Sequence, residues 1–252
     1  MTAGYTRVSP SWLALREPAD AAARATDLAR LLPPTPGPIH DLACGTGSMG
    51  RWLAPLLPGP QHWVLHDRDP DLLQAAAANP PAGATVEVRQ SDITQLRADD
   101  LAGASLITAS ALLDLLTEDE LAGLVSLCAE TGSPTLLTLS VTGGVELSPP
   151  DPLDAHVAAA FNDHQRRGGL LGPDAVAVAA ARLRALGAEV HVSPSPWRLG
   201  AEQAGLTAEW LKGWLDAACE HEPGLADETR AYSERRLTAV TVGHADLLAL
   251  PR

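Results

Sequence analysis

Lysine is almost absent from this chain. Lys212 is the only one, and the 252 residues carry a formal net charge of −13 at pH 7. Binding to a phosphate backbone needs a basic surface, so this balance argues against a nucleic-acid partner. Aromatic residues are also few: one Phe, two Tyr and six Trp. Each Trp therefore marks a place where bulk is wanted. Cys44, Cys128 and Cys219 stand alone, with no Cys-x-x-Cys or Cys/His spacing, which excludes a disulfide framework and a zinc site. No apolar run approaches about 18 residues and the first residues form no hydrophobic leader, so the expectation is a cytoplasmic protein without a membrane partner. The oligomeric state is not legible.

What is present is an alternation of short apolar runs with helical patterns. The runs Ile39–Leu42, Trp63–His66, Thr85–Arg89, Ser105–Ala109 and Thr135–Val141 predict five strands. Between them lie predicted helices over Ser48–Leu57, Pro70–Ala78 and Leu121–Ala129, the last opened by a capping box, Thr117 with Glu120. Such alternation predicts an α/β fold, a doubly wound, mostly parallel sheet with helices on both faces. A helical preamble over Trp12–Leu32 precedes the first strand. After strand five come a helical piece around His156–Arg166, a helix Asp174–Leu186 and a strand Glu189–Val192. A long insertion then leads to a last strand, Ala239–Val242. The expectation is one domain over 1–252, with a cap over 1–37, a cofactor half over 38–142 and substrate lids over 143–172 and 194–237.

The most informative stretch is Asp41-Leu-Ala-Cys-Gly-Thr-Gly. A strand ends in a carboxylate and enters a turn whose glycines allow positive φ and a close ligand. Gly45-x-Gly47-x-x-Gly50 also satisfies the dinucleotide fingerprint, with Asp67 about 20 residues on. An NAD(P)-dependent oxidoreductase is therefore the alternative. Against it, Asp41 would face an anionic pyrophosphate, and neither Tyr5 nor Tyr232 is followed four residues later by a lysine. An acidic residue before the turn suits a cationic ligand.

With Leu65-His-Asp67, Ser91-Asp92-Ile93 and Leu106-Ile-Thr-Ala-Ser110 following in order, the stretch Ile39–Val141 resembles the class I S-adenosylmethionine-dependent methyltransferases. The resemblance implies a seven-stranded Rossmann-like sheet and S-adenosyl-L-methionine as cofactor. It places Asp41 at the methionyl ammonium and Ala43, Gly45 and Gly47 beneath the methionine and ribose. Asp67 would take the ribose hydroxyls, Arg68 cover the adenine, and Asp92 and Ile93 bind that ring. Ser110 would lie beside the sulfonium, and Arg16 would hold the methionine carboxylate. The implied activity is methyl transfer to O or N of a small-molecule acceptor by in-line displacement. A cofactor-binding protein without catalysis is the further alternative.

The acceptor side carries no diagnostic motif. His164, in Phe161-Asn-Asp-His164-Gln-Arg-Arg, is the expected general base, since an imidazole titrates near about 6.5. Asp114, His156, Trp197 and Arg198 are the expected substrate contacts, with Trp197-Arg198 suited to a flat, anionic molecule. Trp210 and Trp214, at i, i+4 spacing, read as core of the insertion. Strands four and five supply one carboxylate, Asp114, so no metal is expected.

Overall fold

A computed structural model describes residues 8–252. Tyr5 and the first seven residues of the expected cap lie outside the described residues.

The chain opens with α1 (Pro10–Ala23), capped by Ser9, whose hydroxyl accepts from the Trp12 N–H. The predicted preamble is not continuous. It breaks at Arg24, which leaves helical geometry and buries its guanidinium, and a single turn, α2 (Thr26–Ala29), follows. Next come β1 (Ile39–Leu42), α3 (Ser48–Leu53), β2 (His62–Asp67), α4 (Pro70–Ala78), β3 (Thr85–Gln90), β4 (Leu106–Ser110) and α5 (Glu118–Thr131). The helix expected to reach Leu57 tightens into a 3-10 turn at Ala54–Leu56, where Pro55 removes a helical donor. The capping box at α5 forms in both directions: Thr117 Oγ1 accepts from the Glu120 N–H, and Glu120 Oε2 accepts from the Thr117 N–H.

The second half holds β5 (Thr135–Ser148), α6 (Asp154–Gln165), α7 (Ala175–Ala185), β6 (Glu189–Pro194), β7 (Trp197–Leu199), α8 (Ala204–His221), α9 (Ala226–Ser233) and β8 (Ala239–Leu250). The sheet order is β3-β2-β1-β4-β5-β8-β6. Strands β1 to β5 pair in parallel, and β8 runs antiparallel between β5 and β6. Thus the expected seven-strand sheet is present, and β7 adds an eighth strand on β8.

Two strands are longer than their hydrophobic runs suggest. β5 continues to Ser148 and β8 fills Ala239–Leu250, so residues 143–148 belong to the sheet and not to a lid. The polar residues that obscured both strands are paired across them, as in Val141↔His244 and Glu146↔Thr241. Gly143, Gly144 and Gly243 permit a bulge where the two strands cross: a Cβ on Gly243 would meet Thr142 Oγ1 at 2.6 Å.

Apolar residues pack on both faces of the sheet. α5 and α7 cover one side around Ile107, Leu121, Leu137 and Leu247. α3 and α4 cover the other around Ile39, Met49, Trp63 and Leu248. A third cluster, centred on Trp197, Trp214 and Val157, joins α1, α6, α8 and β7 above the carboxyl ends of the strands. Among the described residues, no helix is long and apolar enough to cross a membrane.

Candidate active site

A cavity of about 840 Å³ opens between the carboxyl ends of the parallel strands and the third cluster. Its floor is the end of β1 and the glycine turn. Ala43 and Gly45 hold φ of 52° and 55°, and a Cβ on Gly45 would press Leu13 of α1 at 3.2 Å. Ala111, after β4, and Leu139, within β5, also sit at positive φ, and both line the same cavity. Such strain costs about 1–3 kcal/mol per residue and gathers where a backbone must be presented in one way.

Asp41, next to last in β1, is fully buried. Thr108 Oγ1 donates to its Oδ1 at 2.7 Å, while Oδ2 has no partner although it is out of solvent. Loss of hydration pushes the carboxyl up to about 7, against the hydrogen bond from Thr108 and the nearby Arg24 charge. An orphaned buried carboxylate oxygen on a cavity wall is completed by a cationic group. Asp67, at the end of β2, accepts from the Gly45 N–H and the Asp69 N–H, each at 2.9 Å. It thereby locks the glycine turn to β2 and keeps one lone pair on each oxygen for a donor such as a diol. Arg68 lines the cavity beside it.

Asp92 caps the 3-10 turn Ile93–Gln95 by accepting from the Thr94 N–H and hydroxyl through Oδ1. Asp92 and Ile93 both reach the wall. Ser110 lies where β4 ends, accepting from Thr138 Oγ1 and from Arg24 Nη2 at 3.0 Å. Arg24 also reaches Ser48 Oγ, and its charge is balanced by Asp20, Asp246 and Asp41. Sequence reasoning missed Arg24, because a lone arginine after a helix carries no signal of burial. Gly47, grouped with this set by the sequence, does not line the cavity; it holds φ of 81°, and a Cβ there would crowd Ala76 and Arg51 at 3.3 Å.

α1 lays Trp12, Arg16 and Asp20 along one face at i, i+4, i+8 spacing, and all three line the cavity. Arg16 donates to both oxygens of Asp20 through Nε and stacks its guanidinium over the Trp197 ring at 4.9 Å. Its Nη1 makes no hydrogen bond among the described residues. Arg51 fastens α1 to the turn, holding Glu17 with two bonds of 2.6 and 2.7 Å and donating to the Thr46 carbonyl.

The far half of the cavity is aromatic. Trp12, Phe161, Trp197, Trp210 and Trp214 line it: four of the six tryptophans and the only phenylalanine of the chain. Trp210 and Trp214 stack at 5.3 Å between ring centroids. Both are buried, as the sequence implied, yet they wall the cavity as well as filling the insertion. Trp197 donates its indole N–H to Asp20 at 2.9 Å and packs against His244 at 5.1 Å.

Three expected contacts fall elsewhere. Arg198 points away because neighbouring strand residues face opposite sides; Trp197 is inward and Arg198 exposed. His156 is exposed and pairs with Glu222. His164 is buried beside α8, where Arg167 Nη1 donates to Nδ1 and Glu220 accepts from Nε2, leaving no free nitrogen. The cavity lining includes neither histidine nor Arg198.

Asp114, in contrast, is on the wall, and burial pushes it up to about 6 against the pull of nearby backbone N–H groups and Arg16. His244 is also there. It was unplaced by sequence because nothing local showed that its run was a strand. Asp246, two residues on, does not pair with it. Fully buried, it accepts from the Ala25 and Leu139 N–H groups at 2.8 Å and from the Ser195 hydroxyl. That carboxylate pins the β5 bulge on which Leu139 sits. Among the described residues, no group of three or more His, Cys, Asp or Glu is placed to hold a metal ion.

Residues 39–134 match a family model described as a methyltransferase domain. No curated protein sequence matches the chain. Among solved structures, the cyclopropane synthase MmaA2 from Mycobacterium tuberculosis is similar at 14% identity and a TM-score of 0.55, covering 96% of this chain and 94% of that one. A candidate methyltransferase from Bacillus halodurans gives 18% identity and 0.53 over 90% and 100% of the two chains. The YcgJ protein from Bacillus subtilis gives 10% and 0.53 over 90% and 97%. At these identities the structures attest the fold. The family match spans the strand ends that carry Asp41, Asp67, Asp92 and Ser110, so residues 39–134 are a methyltransferase domain, with S-adenosylmethionine as its cofactor.

Proposed function

We propose that the enzyme methylates an oxygen or nitrogen of a small-molecule acceptor by in-line displacement. The observation that carries this reading is a single cavity with a carboxylate-rich half and an aromatic half. Its volume of about 840 Å³ lies in the range of about 300–1,000 Å³ usual for small-ligand sites. A polynucleotide is disfavoured by the net charge of −13.

When bound, S-adenosylmethionine supplies an electrophilic methyl group on a cationic sulfur. Asp41 meets the methionyl ammonium, which completes its orphaned Oδ2, and Arg16 offers Nη1 to the methionine carboxylate. Asp67 takes the ribose hydroxyls, while Arg68, Asp92 and Ile93 frame the adenine. Ala43 and Gly45 keep the floor low, and Ser110 faces the reacting end. Displacement at carbon needs alignment and a dry site more than it needs a strong catalyst. The tryptophan walls provide both by excluding water and restricting how an acceptor can lie. Asp114 is the acidic group on the acceptor side.

The test is transfer of labelled methyl from S-adenosylmethionine into a fractionated cell extract. The reading predicts label in the low-mass, extractable fraction. Label confined to RNA or protein, or no label anywhere, would overturn it.

A further inference from the structure

His244 stands in β8 opposite Val141 and lines the cavity, with its ring against Trp197. Its Nδ1 lies 3.0 Å from the Val242 carbonyl. A carbonyl only accepts, so Nδ1 carries the proton and Nε2 presents a lone pair. Among the described residues Nε2 has no hydrogen-bond partner, yet it is not among the sealed buried atoms. The ring is held by Trp197 on one side. The other charged groups near it, Arg16 and Asp20, are engaged with each other. His244 is thus a fixed hydrogen-bond acceptor on the wall of a cavity that Trp12, Phe161, Trp197, Trp210 and Trp214 also line.

We propose that the acceptor is a flat aromatic molecule bearing a hydroxyl or N–H, held between the tryptophans with that hydrogen on His244 Nε2, which then receives the proton released by methyl transfer. This rests on the methyltransferase reading above and names its substrate class. In the step, the acceptor oxygen or nitrogen bonds to the methyl carbon as the carbon–sulfur bond breaks. The electron pair of that bond goes to sulfur and cancels its charge. The acceptor's proton passes to Nε2 and then to solvent. The forming O–C or N–C bond makes that proton strongly acidic, so a weak base suffices. Burial, reinforced by the Arg16 charge, lowers His244 to about 4, which keeps the imidazole neutral and its lone pair available at neutral pH. A flat ring fits because stacked and tilted indoles gain most from an aromatic face.

The test uses calorimetry on the protein saturated with S-adenosylhomocysteine, with three probes: 2-naphthol, its methyl ether and the saturated alcohol 2-decalol. Wild type is expected to bind 2-naphthol at least about tenfold more tightly than either of the others, since only it offers both a flat ring and a donor. In His244→Phe the preference over the ether should disappear while binding of the ether and of S-adenosylhomocysteine persists. Arg198→Ala, outside the cavity, should keep the preference. The inference is overturned by no saturable binding of 2-naphthol, by equal binding of all three, or by a preference that survives in His244→Phe. Should His244→Phe fail to fold, the wild-type ranking with the nitrogen NMR shift of Nε2 on adding 2-naphthol decides it; an unmoved shift would refute the contact. Failure of S-adenosylhomocysteine to bind at all would count against the proposed function instead.

Discussion

Apart from Arg16, the donor half of the cavity is drawn from strand ends and the turns after them within residues 39–111. The aromatic half takes its walls from α1, α6, β7, α8 and β8, elements spread between residues 10 and 250. In the first, the functional side chains are held by hydrogen bonds within single turns and between adjoining strand ends. Asp67 ties down Gly45 and Asp69, Asp92 caps the three residues after it, and Thr108 holds Asp41 from the neighbouring strand. In the second, position comes from long-range contacts: Trp197 is oriented by Asp20, and the β5 bulge by Asp246. A locally built site leaves a motif, whereas one built by packing leaves only composition.

The contrast is broken most severely at Asp246. Asp246→Ala strips partners from two buried N–H groups and a hydroxyl, and each orphaned group costs about 1–3 kcal/mol. A loss of at least about 3 kcal/mol in chemical denaturation is expected, with Asp246→Asn milder because it retains one acceptor. A change within error would show that the bulge holds itself.

Next comes Trp197→Ala, which empties a buried site and frees Arg16 and His244. Tryptophan truncations of this kind cost about 3–5 kcal/mol. Below its melting point the variant should still bind S-adenosylhomocysteine, while acceptor turnover collapses. Equal loss of both would mean that the halves are not separable.

A pH series sharpens the donor side. Asp41 stands near 7 in the free protein, above its unfolded value of about 4. Its contribution to the stability of the free protein is therefore present below that unfolded value and is lost as pH rises through about 7. A cationic ligand favours the carboxylate, so the sign reverses on binding. Donor affinity should rise from pH 5.5 to 7 and then level, and this rise should be flattened in Asp41→Asn. A flat wild-type profile by calorimetry would remove Asp41 from the donor site.

The smallest effect is expected at Arg198 and His156. Both are exposed, and replacement by Ala should shift stability by no more than about 0.5 kcal/mol and leave turnover unchanged. A large drop in the acceptor kcat/KM for Arg198→Ala would return it to the site.

These outcomes follow the line of what could be read from the sequence. Strand ends, the glycine turn and the Thr117 cap were legible because each is set by residues within four or five positions of one another. The long ends of β5 and β8 were not. Their polar residues are stabilised by cross-strand partners about a hundred positions away, as at Val141 and His244. His164 was expected to be a base, yet Arg167, three residues on, and Glu220, from α8, consume both of its nitrogens. Arg16 was named from the sequence, but that its helix turns Trp12, Arg16 and Asp20 to the cavity depended on Trp197, some 180 residues on. Arg24 and Asp246 left no trace, since burial of a charge is a property of the finished fold.

Calorimetric titration of S-adenosylhomocysteine into wild type and Asp67→Ala tests most directly the claim that strand-end carboxylates build the donor site. The account predicts saturable binding to wild type, weakened at least about tenfold in the variant, in keeping with about 1.5–3 kcal/mol for hydrogen bonds to a charged group. Equal affinities, or tighter binding of NAD than of S-adenosylhomocysteine, would contradict it.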